Sequence, residues 1–384
     1  MQIPNSIINV MQELNNAGYE CYLVGGCVRD SLMGKTPHDF DLTTSALPEQ
    51  TLSVFSNRRV IETGLKHGTI TILTDIGGVE ITTYRIDGVY LDSRRPETVS
   101  FTRNLTEDLA RRDFTVNAMA MSFDGGVVDM YGGKADLEGK LIRCVGDAEK
   151  RFSEDALRIL RALRFASVLD FDIDPDTSAA IRNMHTQLSA ISAERIREEI
   201  SKLICGVAAK RVVSEYKDVL ETIISCNNIE KLPLLPNDPC IRMAAMHQNE
   251  QDLLATLKRL KCSRVQIKTA TDCFRVLNLN EPPTPTTVAR LAANIGLEQL
   301  KGFLTAACAF GTPLAAEYRQ MLTQLENRNA CFSLADLNIN GATLIKMGIK
   351  GRAVGQMLDR LFYAVAEGEC ENTLDELISY VKNT

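Results

Sequence analysis

Two aspartates, Asp39 and Asp41, follow a pair of glycines in the segment LVGGCVRDSLMGKTPHDFDLTT. The pattern predicts a strand that ends at Gly25 and Gly26, a short helix from about Val28, and a second strand that carries both aspartates. Residues two apart on a strand point to the same face, so the carboxylates would lie about 6–7 Å apart along the chain. Such a pair suits two divalent ions, about 3.5–4 Å apart, in phosphoryl transfer.

The glycine pair and Arg29 predict a phosphate site beside these aspartates. Adjacent glycines let backbone N–H groups approach an anion closely, and the following helix N-terminus adds the positive end of its dipole. Arg29, one turn into that helix, could meet a triphosphate through two hydrogen bonds. A glycine pair alone is usually a turn, and an Asp-x-Asp alone is usually a solvated loop or cap. Together, with 12 residues between Gly26 and Asp39, they favour nucleotidyl transfer. A dinucleotide site would need a third glycine.

A second group of charged residues lies in EDLARRDFTVNAMA. Arg111 and Arg112 follow an acidic turn, and Asp113 and Asn117 are four apart, on one face if the segment is helical. One interpretation is a surface ion-pair cluster. The other places Arg112 on phosphate and Asp113 or Asn117 on sugar hydroxyls. Glu80, on a predicted strand, is a candidate third carboxylate of the metal site.

Charged residues recur at every third position of SEDALRILRALRFA: Asp155, Arg158, Arg161 and Arg164. Helical geometry winds them slowly across one side of a helix. An amphipathic helix with internal Asp–Arg pairs explains this spacing without a ligand. However, cytosine and adenine each offer an amine donor beside a ring-nitrogen acceptor, which a carboxylate beside a guanidinium complements. Uracil and guanine present carbonyl acceptors and a ring N–H, which the same pair opposes.

The elements that must position these residues change character along the chain. Up to about residue 145, short runs rich in Val, Ile, Thr and Tyr alternate with turn residues, which predicts a mixed α and β region. TILTDIGGVEIT predicts a hairpin around Gly77 and Gly78, and FTVNAMAM predicts a short helix. From Asp147 onward, helical spacing dominates. The sequence therefore predicts an α+β protein with a small mixed-sheet head followed by a long all-helical region.

Composition excludes several classes of protein. The 384 residues suit two to four domains, and 45% hydrophobic with 24% charged residues is typical of globular chains. No run approaches the 18 apolar residues of a membrane span, and no secretory signal is visible. Eleven scattered cysteines without a CxxC favour reduced thiols in a cytosolic protein. The net charge of −6 does not exclude nucleic acid, because local basic patches decide that binding.

Four motifs in order resemble those of class II tRNA nucleotidyltransferases, the CCA-adding enzymes of the DNA polymerase β superfamily: LVGGCVRD with DFD, RRDFTVNA, EDALR and ISAERIREE. Their order and spacing match over about residues 20–205. The resemblance implies a nucleotidyltransferase head at 1–145 and a helical neck with a nucleotide-selecting motif at 146–205. It also implies an elongated helical continuation, with a body at 206–280 and a tRNA-binding tail at 281–384.

The resemblance implies template-independent addition of C, C and A to tRNA 3′ ends from CTP and ATP, in the cytoplasm. By motif position, Asp39 and Asp41 would be catalytic and would hold Mg²⁺. Asp155 and Arg158 would read the incoming base, with Arg161 and Arg164 supporting that site. The residues implied to bind the nucleotide are Gly26, Arg29, Arg112, Asp155, Arg158, Arg161 and Arg164.

Alternatives stay open at this point. A-adding enzymes and bacterial poly(A) polymerases share most of these motifs, and a catalytically inactive RNA-binding protein would share the fold. The polar stretch RIDGVYLDSRRPETVS, residues 85–100, stands where CC-only members lack a loop, which favours A addition. No histidine follows His247 to build the HD phosphohydrolase domain that some relatives append. Basic residues of the helical half that could face phosphate, or simply form solvated helix faces, are Lys258, Arg259, Lys261, Arg264, Lys268, Lys350 and Arg352.

Overall fold

The computed structural model describes residues 3–37, 39–88 and 99–384. The chain divides into two compact units, Met1–Thr222 and Ile223–Thr384. The first unit combines a mixed sheet with helices, as an α+β fold requires. The second unit, which the structure describes throughout, contains helices and no strand. The four-part division at residues 145, 205 and 280 stays a prediction.

The strands of the described residues all lie in the first unit. They are β1 (Cys21–Val24), β2 (Asp41–Thr44), β3 (Val60–Ile61), β4 (Thr69–Thr74), β5 (Gly77–Thr83), β6 (Arg85–Asp87), β7 (Val99–Phe101), β8 (Met119–Met121), β9 (Val127–Asp129), β10 (Leu141–Ile142) and β11 (Asp172–Ile173). Seven of them form one sheet in the order β3-β4-β5-β2-β1-β8-β9. Within it β2 runs antiparallel to β1 and parallel to β5, so β2 occupies a central place.

The other regular elements of both units are helices. Those of the first unit are α1 (Asn5–Asn16), α2 (Gly26–Leu32), α3 (Pro48–Val54), α4 (Leu105–Ala110), α5 (Gly133–Glu138), α6 (Ala148–Glu154), α7 (Leu157–Leu169), α8 (Pro175–Met184), α9 (Ala193–Ile204), α10 (Ala209–Glu215) and α11 (Lys217–Leu220). Those of the second unit are α12 (Pro239–Ala245), α13 (Glu250–Arg259), α14 (Arg264–Leu277), α15 (Pro285–Ile295), α16 (Leu297–Phe310), α17 (Ala315–Asn327), α18 (Gly341–Lys346), α19 (Arg352–Glu367) and α20 (Leu374–Lys382). None of the helices in the described ranges is long and apolar enough to cross a membrane.

The main core of the sheet lies on one face, and α4 lies on the other. Leu42 of β2 and Ile81 of β5 are 1% exposed and pack in the cluster that includes α1 and α2. Leu109 of α4 packs instead with Val24 and Ala120 in a separate cluster. Because side chains alternate along a strand, the neighbours of Leu42 and Ile81 point toward the α4 side. This alternation places the β2 carboxylate away from the main core.

The structure corrects the predicted elements at four places, three of them in or beside the sheet. FTVNAMAM forms a 3₁₀ turn, Thr115–Asn117, and then the buried strand β8, because pairing with β1 completes the sheet. The β4–β5 hairpin turns two residues earlier than predicted: Asp75 and Ile76 form the turn, Thr74 pairs with Gly77, and the glycines begin β5. β2 begins at Asp41, so Asp39 precedes the strand rather than lying on it.

The fourth correction concerns Asp155, which does not lie on a helix with the arginines that follow it. Its backbone is extended, at φ −147° and ψ 101°, between α6 and α7. Its Oδ1 accepts from the backbone N–H of Leu157 at 3.1 Å, which caps the start of α7. A short aspartate side chain competes with helical hydrogen bonds in this way, and the helix breaks at Asp155.

Candidate active site

The turn between β1 and α2 brings two predicted nucleotide-binding arginines together. Gly25 has φ 76° and ψ −135°, a conformation that residues with a side chain rarely adopt. A Cβ on Gly25 would lie 3.5 Å from Arg112 Nη1, and a Cβ on Gly26 would lie 3.6 Å from Arg29 Nη2. One guanidinium therefore lies beside each glycine. The predicted phosphate-binding residues Gly26, Arg29 and Arg112 converge here.

Asp41 begins the neighbouring strand, β2, and Asp39 precedes it. Asp41 pairs with Val24 at the end of β1 on one side and with Glu80 of β5 on the other. The Asp41 side chain is solvent-accessible, yet its surroundings raise its pKa. Partial burial is the largest cause, Glu80 and Asp39 add repulsion, and Arg112 opposes them. The structure thus brings Asp39 and Asp41 within electrostatic reach of each other and of Arg112.

Hard carboxylate oxygens at this position fit a magnesium site. Mg²⁺ is commonly bound by one or two carboxylates, with waters and substrate phosphates completing its shell. Among the residues that the structure describes, no three His, Cys, Asp or Glu side chains are grouped as a metal cage. Glu80 pairs with Asp41 in the β2–β5 register, and its role as a third ligand stays a prediction. Asp39 and Asp41 would supply two carboxylate ligands to such an ion, and the phosphates of a bound nucleotide would complete its coordination shell.

Arg29 connects this turn to the second motif. It is 8% exposed, and its Nη1 donates to Asn117 Oδ1 at 2.8 Å. Its Nε and Nη2 donate to Asp30 Oδ1 at 2.9 and 2.7 Å. Asn117 Nδ2 in turn donates to Asp113 Oδ1 at 3.2 Å. Asn117 and Asp113 contact each other although no α-helix joins them, and both are buried, so the surface ion-pair interpretation is wrong.

Asp113 pairs with the third motif. Its Oδ2 accepts from Arg161 Nε at 2.8 Å and Nη2 at 2.5 Å. Burial alone would raise the pKa of Asp113, but Arg161 above all, helped by Arg158 and Asn117, lowers it to about 2. Asp113 is therefore a charged anchor for Arg161. Its role toward a sugar hydroxyl stays a prediction.

Three arginines surround one aromatic ring. The guanidinium carbons of Arg29, Arg161 and Arg164 lie 5.1, 5.4 and 3.8 Å from the centroid of Phe165. Cations over an aromatic face are attracted by its negative π-surface. Arg164 Nε also donates to Glu199 Oε2 at 2.5 Å. The ring and the buried carboxylates together hold three like charges side by side.

Asp155 and Arg158, the predicted base-reading residues, have partners that the sequence spacing did not indicate. Asp155 accepts from Arg195 Nη1 at 3.2 Å and Nη2 at 2.6 Å. Arg158 Nη1 donates to Glu154 Oε2 at 2.6 Å, and its Nη2 donates to the carbonyl O of Arg111 at 3.0 Å. The interpretation that an Asp155–Arg158 ion pair within one helix explains the spacing is therefore wrong. Each residue is held by a separate partner.

Three family models match successive parts of the chain. The poly A polymerase head domain matches residues 21–143, an RNA and SrmB-binding site of polymerase A matches 170–218, and tRNA nucleotidyltransferase domain 2 matches 241–381. The CCA-adding enzyme of Leuconostoc mesenteroides subsp. mesenteroides is 36% identical over 399 residues, covering 99% of this chain and 97% of the relative. That of Lactobacillus delbrueckii subsp. bulgaricus is 38% identical over 384 residues, covering 95% and 94%. The chain belongs to the CCA-adding enzymes.

Solved structures agree with this membership of the CCA-adding enzymes, which are tRNA nucleotidyltransferases. The Bacillus stearothermophilus CCA-adding enzyme in complex with CTP has a TM-score of 0.83 and 31% identity, covering 100% of this chain and 98% of that one. The Thermotoga maritima CCA-adding enzyme complexed with tRNA has a TM-score of 0.70 at 20% identity, covering 99% and 95%, and shows the shared fold. The family and fold inferred from the motifs are thereby confirmed.

Arg195 and Glu199 are the site residues that reasoning from local chemistry missed. Both lie in α9, and their sequence, ISAERIREE, entered the sequence analysis only as part of the family resemblance. Their charges alternate as on an ordinary solvated helix, but Glu199 is 7% exposed and bonds Arg164. In this CCA-adding enzyme, α9 supplies ion-pair partners to Asp155 and Arg164 of the predicted nucleotide-selecting motif.

The remaining candidates belong to the second unit or fall outside the described residues. Most of the polar stretch 85–100, residues 89–98, falls outside the described residues. The strands on either side of residues 89–98, β6 and β7, form an antiparallel pair. In the second unit, Lys268 Nζ donates to Asp272 Oδ2 at 2.6 Å, and Arg259 donates to the carbonyl O of Ile223. Arg352 begins α19, as the sequence predicts. The phosphate-facing role of this basic set stays a prediction.

Proposed function

We propose that this chain completes tRNA 3′ ends by adding C, C and A from CTP and ATP, with protein side chains rather than a template selecting each base. Relatives at 36% and 38% identity, matched almost end to end, carry the name of that activity. The structural observation that carries the proposal is the convergence of Asp41, Arg29 and Arg112 at the β1–α2 turn. Carboxylates for a metal and guanidiniums for a triphosphate then lie side by side.

Asp39 and Asp41 would hold Mg²⁺ in this proposal. A divalent ion there lowers the pKa of the attacking 3′-hydroxyl and neutralises charge on the α-phosphate and the leaving pyrophosphate. Glu80 and burial raise the pKa of Asp41, so Asp41 gains from a cation more than an isolated surface aspartate would. The charge of Glu80 thus adds to the attraction of a cation to Asp41.

Arg29 and Arg112 would bind the triphosphate. Each lies against a glycine, so no side chain at those glycines separates the guanidinium from the turn. Charge-assisted hydrogen bonds from guanidinium to phosphate are strong and directional. Arg29 is oriented by Asn117 and Asp30, and it loses little side-chain freedom when the nucleotide arrives.

Asp155 and Arg158 would read the base, with Arg161 and Arg164 supporting them. The bidentate pair with Arg195 orients Asp155. Because Oδ1 also accepts from the Leu157 N–H, Oδ2 is the oxygen that keeps a further lone pair for the exocyclic amine of C or A. Glu154 and the Arg111 carbonyl orient Arg158 for the ring acceptors. Selection against U and G then follows from donor and acceptor placement.

The test supplies three tRNA substrates, which end before the first C, after C, and after CC. Each reaction contains Mg²⁺, CTP and ATP, with one of the two nucleotides labelled. A CCA-adding enzyme extends all three to the same CCA end and stops. Extension of the CC end alone would identify an A-adding enzyme, and long A tracts would identify a poly(A) polymerase. Binding of tRNA without extension would leave an inactive RNA-binding protein. Asp41→Asn serves as the catalytically inactive control in every arm.

We also propose that the enzyme acts in the cytoplasm. Its proposed substrates, tRNA, CTP and ATP, occur together there. All eleven cysteines lie within the described residues as free thiols, which suits a reducing compartment. Fractionation of cells that express a tagged chain would test the location.

A further inference from the structure

A buried carboxylate outside the predicted site residues, Asp108 of α4, connects to the phosphate side of the site. It is 0% exposed. Its Oδ1 accepts from Arg111 Nε and Nη2 at 3.1 and 2.6 Å and from the Arg85 backbone N–H at 3.3 Å. Its Oδ2 lies 3.2 Å from both Arg112 Nη2 and the Thr43 hydroxyl. Burial would raise the pKa of Asp108, but the two guanidiniums hold it below its usual value, so the group is charged.

The Thr43 contact ties Asp108 to the strand that carries Asp41. Thr43 and Asp41 are two residues apart in β2 and share the face opposite to Leu42. The Thr43 hydroxyl also lies 3.1 Å from the carbonyl O of Thr82 in β5. Asp108 is therefore packed against the same face of the sheet as the metal-binding carboxylate.

The Arg112 contact uses only one nitrogen of the guanidinium. Nη1 lies beside Gly25, 3.5 Å from where a Cβ would stand. Nε is buried and has no hydrogen-bond partner among the described residues. A buried N–H without an acceptor is costly, and the cost disappears when a ligand supplies the acceptor. An anionic oxygen at this turn would satisfy Arg112 without displacing Asp108.

We propose that Asp108 is a positioning residue, which holds Arg112 against the Gly25 turn so that its remaining N–H groups meet the triphosphate. The inference rests on the proposed function, since it assigns the phosphate contact to Arg112. Asp108 itself does not touch the nucleotide, because it is fully buried and both its oxygens contact protein donors. Without its charge, Arg112 is drawn toward Asp41 instead.

A double-mutant cycle of Asp108→Asn and Arg112→Ala tests this role. The readouts are kcat/KM for CTP at saturating tRNA without its CCA end, and the Kd for CTP with Mg²⁺ from equilibrium titration. With Arg112 present, Asp108→Asn should lower kcat/KM and CTP affinity about 10- to 100-fold. With Arg112→Ala, the same change should cost less than about 3-fold, because its effect passes through Arg112.

Asp174→Asn is the matched control. Asp174 is another buried carboxylate of the first unit, 5% exposed, and pairs with Arg143 at 2.5 Å. Its loss should lower the melting temperature while CTP affinity stays the same. If Asp108→Asn does not fold, Asp108→Glu, which keeps the charge but moves the carboxylate, takes its place in the cycle with the same expected non-additivity.

Equal losses in both Arg112 backgrounds, or a lower melting temperature with unchanged CTP affinity, would overturn the inference and leave Asp108 a purely structural residue. The titration with CTP does not depend on turnover. A wild-type chain that binds CTP but never extends tRNA would therefore refute the proposed function while the cycle still decides the role of Asp108.

Discussion

The two sides of the candidate site differ in how the protein balances their charges. On the carboxylate side, Asp41 is accessible to solvent, lies near Glu80 and Asp39, and has a raised pKa. Arg112 offsets this repulsion only in part. Partial burial and the nearby carboxylates therefore both disfavour the charged form of Asp41, and a bound cation would relieve this.

On the arginine side, each charge has a nearby partner. Arg161 is bonded to Asp113 at 2.5 Å and Arg164 to Glu199 at 2.5 Å, and both carboxylates are buried. The Asp113 partner raises the pKa of Arg161 further, which keeps it charged. The arginines are thus oriented before any nucleotide arrives.

This difference indicates a division of labour. Carboxylates that repel each other gain stability when a cation binds, so the metal side is completed by its ligand. Hydrogen-bond donors that are already oriented cost no reorganisation when they meet the substrate, so the base-reading side is preorganised. Substitutions on the metal side should therefore affect the chemical step for every nucleotide, and substitutions on the base-reading side should affect the choice among nucleotides.

The largest effect is expected from Asp39→Ala or Asp41→Ala. Either change should lower both C and A addition by roughly 1,000-fold or more, about 4 kcal/mol of barrier, because the metal loses half its protein ligands. Binding of tRNA should be largely unchanged, since phosphate contacts elsewhere supply that affinity. Single-turnover experiments measure the rate of C and A addition, and a binding titration measures the affinity for tRNA. Near-normal turnover of either variant would show that the metal assignment is wrong.

A second effect concerns base choice. Asp155→Ala removes an acceptor for the amine of C and A and a repulsive charge that faces the carbonyl of U. Discrimination against UTP should fall by roughly 10- to 150-fold. The measurement is kcat/KM for CTP, ATP, UTP and GTP on matched tRNA ends, with a melting curve for each variant.

Arg195→Ala is the matched variant for this test, because it removes the partner of Asp155 without removing an acceptor for the base. Either variant removes the Asp155–Arg195 pair, and Asp155→Ala also removes the bond to the Leu157 N–H, so both should be less stable than the wild type. Only Asp155→Ala should relax selection strongly. Equal losses for all four nucleotides in both variants would return Asp155 to a structural role.

A smaller effect is expected in the second unit, where Lys258, Arg264 and Lys350 could face phosphate. Changing all three to Gln should weaken tRNA binding. The slope of log K against log salt should fall by about 1 for each phosphate that the variant no longer neutralises. Arg259 is left in place because it bonds the Ile223 carbonyl and supports the fold. Nucleotide preference should be unchanged. An unchanged salt slope would place the RNA-binding surface elsewhere.

The smallest effect concerns His247, which is 3% exposed and whose Nε2 has no hydrogen-bond partner among the described residues. Burial is the largest cause that lowers its pKa, so the folded protein binds this proton less readily than the unfolded chain. The free energy of unfolding should therefore fall as the pH drops below about 6.5. Denaturant unfolding between pH 7.5 and 5.5 measures it. His247→Gln should flatten the slope, and His185→Gln, at a half-buried histidine, is the matched control substitution.

The local parts of the site could be predicted from the amino-acid sequence alone. LVGG followed by CVRD predicts a strand, a glycine turn and a helix, because each depends on the conformational preferences of neighbouring residues. The structure has β1, Gly25 and α2 in that order. Together with the spacing to Asp39 and Asp41, this segment predicts nucleotidyl transfer, and the order of all four motifs identifies the family.

Which charges meet depends instead on tertiary packing. Arg29 and Asn117 are 88 residues apart, Asp108 and Thr43 65, and Asp155 and Arg195 40. A periodic pattern describes only neighbours on one helix. It therefore predicted an Asp155–Arg158 pair on a helix that includes Asp155. Likewise β8 is a strand because β1 offers it a partner, which outweighs the helical spacing of its own residues. Side chains distant in sequence meet only after the sheet and α7 pack together, and local propensity carries no information about that packing.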